Sequence, residues 1–130
     1  MIFIIHKTLE YRYERNNYCY ISFNNLGLIY ITIFNNIEKA DEYLRKSAFN
    51  EFPIGQNNYG LLCQFYLNKM EDAEYMFEKS SKHKFSLAEY NIGYIFEKSN
   101  KTTESIQCYI QASEHEDEPI QYRNTNFDDK

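Results

Sequence analysis

The sequence predicts an all-α protein, about three helix–turn–helix units stacked as an α/α solenoid. Three observations predict it. A glycine returns at Gly27, Gly60 and Gly93, at intervals of 33 and 33 residues. An asparagine follows each glycine at +8, +8 and +7, as Asn35, Asn68 and Asn100. Beyond each asparagine, small and large apolar residues recur at helical spacing. A fixed interval of this length marks a repeat whose single unit cannot bury its own apolar face, so that neighbours must stack.

The elements follow in chain order. Residues 1–19 read as a capping helix or a degenerate copy, because Leu9 and Tyr13 stand at i, i+4. The repeat domain is expected over residues 20–122. Leu26, Ile29, Tyr30 and Ile33 mark the first helix of a unit (helix A), and Tyr59, Leu62, Cys63 and Tyr66 mark the next copy. The asparagine comes after it, since Asn tolerates the left-handed backbone that often ends a helix. Helix B follows. Ala40, Leu44 and Ser47-Ala48 fall on one 3.6-residue stripe, with Asp41, Arg45 and Lys46 off it. The same stripe reads Ala73, Phe77, Ser80-Ser81, and then Ser105, Tyr109, Ala112-Ser113. A glycine inside a helix costs about 1 kcal/mol against alanine. The expected return is packing, with a close backbone approach and the small stripe of helix B filling the space. After the third unit, Ile120 to Arg123 begins another helix A with Pro119 in its first turn, and residues 123–130 form a polar tail.

Composition narrows the function. The net charge is −5 and no Lys/Arg cluster is present, whereas nucleic-acid binding needs a basic face. The opening MIFII is too short for a signal-peptide core or a membrane span. No membrane or nucleic-acid partner is therefore expected. Cys19, Cys63 and Cys108 form neither a disulfide framework nor a zinc spacing and sit among apolar neighbours, which suits reduced thiols in a cytoplasmic protein. Thirteen Tyr and ten Phe supply large bodies for a core.

The run EKADEYLRKSA (Glu38 to Ala48), followed twelve residues later by Gly60, resembles the Sel1-like repeat. So does EDAEYMFEKSS (Glu71 to Ser81) with AEYNIG (Ala88 to Gly93) after it. The loop between helices A and B is shorter than in that family, which brings the period close to the tetratricopeptide length. Glu51, Lys84 and Glu116 stand where the family has a glycine after its double alanine. The resemblance covers about residues 20 to 122 and implies a right-handed superhelical solenoid, with the asparagines two residues before each glycine on the concave face.

No catalytic or metal constellation is apparent, so an enzyme is not expected. His6, His83 and His115 share no short spacing with acids or cysteines. His115-Glu116-Asp117-Glu118 reads as a solvated loop, and His83 falls in the matching loop after Ser81, again at the surface. The expected function is non-enzymatic binding of a peptide or protein segment in the concave groove. The residues expected to carry it are Asn25, Asn58 and Asn91, whose amides can both donate and accept, with Leu28, Leu61, Tyr90 and Tyr94 as apolar and aromatic contacts. Those walls hold Asn, Leu, Ile, Gln and Tyr, with Lys98 almost alone, and so lack the Lys and Arg that grip a carboxylate. The alternative is a regulatory or structural segment of a larger protein, such as one attached to a kinase. No obvious polar cap closes the array, so end-to-end self-association is expected with it. No cofactor is implied.

Overall fold

A computed structural model describes residues 19–49 and 51–116. Six helices follow one another: α1 (Cys19–Thr32), α2 (Ile37–Ala48), α3 (Pro53–Phe65), α4 (Met70–Ser81), α5 (Ser86–Lys98) and α6 (Thr102–Glu114). No strand occurs among the described residues, so the chain is all-α there. The expected capping helix over 1–19 falls outside them except for Cys19, which begins α1; the helix start at Ile120 and the polar tail lie outside them entirely. Within the described part, α1 packs with α2, α3 with α4 and α5 with α6, while α2 packs on α3 and α4 on α5. The odd-numbered helices are the A helices of the sequence and the even-numbered ones are the B helices.

The turns obey the asparagine rule. Asn35, Asn68 and Asn100 take φ of 49°, 54° and 61° between the helices of each pair. That left-handed backbone penalises most L-residues but suits Asn. The Asn36 side chain then caps α2, accepting a hydrogen bond from the Lys39 N–H at 3.0 Å. The loops between pairs use the same device with less suitable residues. Glu51 and Lys84 take φ of 55° and 58°, at the positions where the resemblance would place glycine. The backbone is thus kept while the residue that fits it best is missing. Lys84→Gly should raise stability by about 0.5–1 kcal/mol, relief of left-handed strain less the entropy of a glycine. Urea unfolding checks this, and a lowered midpoint would contradict it.

Glycine is a socket for a large side chain. A Cβ built on Gly60 would lie 2.6 and 2.8 Å from ring carbons of Phe77. One on Gly27 would meet the Leu44 side chain at 2.6 and 2.8 Å, and one on Gly93 the Tyr109 ring at 2.7 and 2.8 Å. The helical spacing predicts that the small stripe of helix B fills this space. Instead the large residue of each B helix fits against the glycine, and the small residues take another task. Ser47 and Ser80, both fully buried, donate to the carbonyls of Tyr20 at 2.6 Å and Pro53 at 2.7 Å. Ser105 donates to the Gly93 carbonyl at 2.9 Å. Each bond ties a B helix to the A helix of its own pair. Ile33 and Tyr66, expected on the buried stripe, lie just past the ends of α1 and α3 and are exposed. The helices stop one residue short of them, so no helical face carries them inward.

The main core gathers Ala40, Leu44, Leu62, Cys63, Ala73 and Phe77 between successive pairs. Tyr43 adds an aromatic cluster, with its ring stacked on Tyr30 at 5.7 Å and beside Phe23 at 5.7 Å.

Candidate functional site

The A helices differ from the B helices in charge. No Asp, Glu, Lys or Arg occurs in α1 or α3, whereas α2 reads IEKADEYLRKSA and α4 reads MEDAEYMFEKSS. Charge is therefore gathered on the B side of the first two pairs. The uncharged side is not flat. A cavity of about 530 Å³ opens between α1 and α3, with Leu28 and Ile31 on one wall and Asn58, Leu61 and Phe65 on the other. A second, of about 310 Å³, lies between α3 and α5, bordered by Phe65, Tyr94, Ile95 and Lys98. Phe65 belongs to both and forms the ridge between them.

Of the residues expected to contact a partner, Leu28, Asn58 and Leu61 meet in the first cavity and Tyr94 lines the second. Asn25 is exposed on α1. Asn58 and Asn91 have a further partner that the sequence did not reveal. Asn58 Nδ2 donates to Asn24 Oδ1 at 2.8 Å, and Asn91 Nδ2 donates to Asn57 Oδ1 at 2.9 Å. Asn24 and Asn57 are buried, while Asn58 and Asn91 are half-buried. The two bonds form rungs between successive A helices. Each rung fixes the orientation of its donor amide and leaves that amide's own oxygen and second N–H for another partner.

Tyr90 stands apart from the groove. It occupies the position of Asn24 and Asn57 in the third unit, yet its ring lies 5.2 Å from Tyr109 of α6, by a cavity shared with Leu87 and Ser113. Ile31 and Phe65 went unforeseen, and Lys98 was foreseen only as the nearly solitary cation of these walls. Phe65 and Lys98 had a signal, because Asn58, Leu61, Phe65 and Asn91, Tyr94, Lys98 are both i, i+3, i+7 stripes.

Reactive groups are quiet. Burial pushes the Cys63 thiol up, away from the thiolate that would make it a nucleophile. Burial and then Glu89 push Cys108 up. Tyr59 is raised to about 12, by burial first and by its neighbours Cys63 and Asp41. Arg45 pairs with Asp41 at the edge of this cluster. Burial lowers the pKa of His83, which the sequence placed at the surface but which is half-buried. His115 also departs from the solvated loop expected of it. Its Nδ1 lies 2.8 and 3.0 Å from the two oxygens of Glu89, a buried carboxylate at the start of α5. A buried carboxylate needs such a partner, and the pair ties the two ends of the last hairpin together.

Among the described residues no group of three or more His, Cys, Asp or Glu could hold a metal ion. No helix among them is long and apolar enough to cross a membrane. Comparison with protein-family models and with curated proteins finds no match.

Proposed function

We propose that the chain is a non-enzymatic interaction module, a right-handed α/α solenoid of the Sel1-like, tetratricopeptide-related kind, that binds a peptide or protein segment along its A helices. The observation that carries this reading is the uncharged cavity between α1 and α3, in which Leu28, Asn58 and Leu61 converge. Concave apolar sites with a few placed polar groups are where ligands bind. Repeat arrays use the wall formed by equivalent helices for extended partners. The oriented amides of Asn58 and Asn91 suit the backbone of such a partner. A reducing cytoplasmic setting fits the free thiols of Cys63 and Cys108.

Selection from a displayed peptide library tests the proposal. The protein should enrich sequences with a bulky apolar residue, and Leu61→Glu should weaken the enriched peptides at least tenfold while melting as the parent does. Leu61 is only half-buried, so the new carboxylate can remain hydrated in the free protein yet obstructs an apolar ligand. A library that yields no enriched family, or one indifferent to Leu61→Glu, overturns it.

One observation favours the second reading, a repeat segment docked within a larger protein. Ile106 and Ile110 on α6 are half-exposed, whereas the equivalent positions on α4 hold Glu74 and Glu78. An apolar outer edge of this kind suits a further domain or end-to-end association. Self-association that Ile106→Glu and Ile110→Glu together abolish would favour it over a free adaptor.

A further inference from the structure

The two cavities along the A helices differ in charge. The first is lined by no Asp, Glu, Lys, Arg or His. A charged group entering it would give up water with nothing to pair with, so this cavity selects an uncharged bulky side chain. The second has a single charged lining residue, Lys98. Its Nζ lies 5.2 Å from the centre of the Tyr94 ring, which holds the ammonium over an aromatic face. Lys39, Lys46 and Lys79 each pair with a glutamate, whereas Lys98 pairs with no carboxylate among the described residues.

Building on the peptide-binding reading, we infer that the groove takes an extended peptide with an aliphatic or aromatic anchor in the first cavity and an acidic side chain three residues away, paired with Lys98. The spacing comes from geometry. The asparagine rungs bridge successive A helices, and neighbouring helices lie about 8–10 Å apart, so crossing from one groove to the next covers about that distance. A polyproline II segment rises about 3.1 Å per residue and completes a turn in three residues. Positions i and i+3 then face the same way about 9 Å apart. A β-strand would bring i+2 to the same face after only about 7 Å, short of the second cavity.

The test is a library with one fixed leucine and all flanking positions randomised, selected on the full chain. Asp and Glu should be enriched three residues from the leucine. In binding isotherms with an enriched peptide, Asp→Asn should weaken binding about two- to fivefold, the range of exposed ion pairs. The same peptide change should have no effect on the Lys98→Met protein, and Lys98→Glu should shift the enriched residue to Lys or Arg. Leucine-anchored binding without acid enrichment, or acid enrichment that survives Lys98→Met, overturns this inference and leaves the peptide-binding reading standing. The absence of any leucine-anchored binding removes both.

Discussion

Gly60→Ala is expected to cost about 1–3 kcal/mol and Gly60→Leu more, seen as lowered urea midpoints. In most helices the alanine change would be stabilising by about 1 kcal/mol. Here the added carbon would sit 2.6 Å from a ring carbon of Phe77. Phe77 is fully buried, so the ring can give way only by disturbing the core around it. Phe77→Leu in the same protein should recover part of the loss, because a smaller residue leaves room for the new methyl. A midpoint for Gly60→Ala at or above the parent's would show that the socket is looser than the structure has it.

The second large effect concerns the amide rungs. Asn91→Ala should destabilise by about 1–3 kcal/mol, since it leaves the buried Asn57 oxygen without its donor. Asn57→Ala should cost a similar amount, and the double variant less than the sum. A double-mutant cycle by urea unfolding gives the coupling energy. Additivity would mean that the rung contributes nothing as a pair. The rungs also bear on how partner binding is to be probed. Asn58→Ala, taken from sequence alone, would be expected to weaken a partner without lowering the melting temperature. Its bond to Asn24 makes a stability loss part of the expected result. Asn25 is exposed, so Asn25→Ala is expected to leave the urea midpoint at the parent's value.

Features that depend on one residue's backbone or on periodic spacing were legible in the sequence. Asn35, Asn68 and Asn100 gave away their turns because few residue types accept a left-handed φ. Gly27, Gly60 and Gly93 gave away a tight contact because nothing else repays a glycine within a helix. The identity of the contact was not legible. Whether a glycine meets backbone or a ring depends on how two helices slide past each other, and Leu44, Phe77 and Tyr109 are compatible with either. The rungs were hidden for a related reason. Asn58 and Asn24 lie 34 residues apart, one more than the repeat, so comparing equivalent positions never pairs them. Glu89 and His115 were hidden because equivalent positions elsewhere hold other chemistry: Gln56 and Phe23 take the place of Glu89. Half of the groove could be foreseen from Leu28, Asn58 and Leu61. Phe65 and Lys98 share their stripes, but exposure at a helix end follows from where the helix stops, which pattern alone leaves open.

The acceptor column of the rungs runs Asn24, Asn57 and then Tyr90, and this gives the array a grammar for growth. Splicing a second copy of residues 53–85 between Phe85 and Ser86 would keep every rung an asparagine pair, because Asn58 of the copy would face Asn57 and Asn91 would face Asn57 of the copy. A unit joined beyond α6 would instead present its asparagine to a phenol that leans on Tyr109. Lengthening from within is therefore permitted by the existing side chains, while lengthening at that end calls for a new residue at position 90.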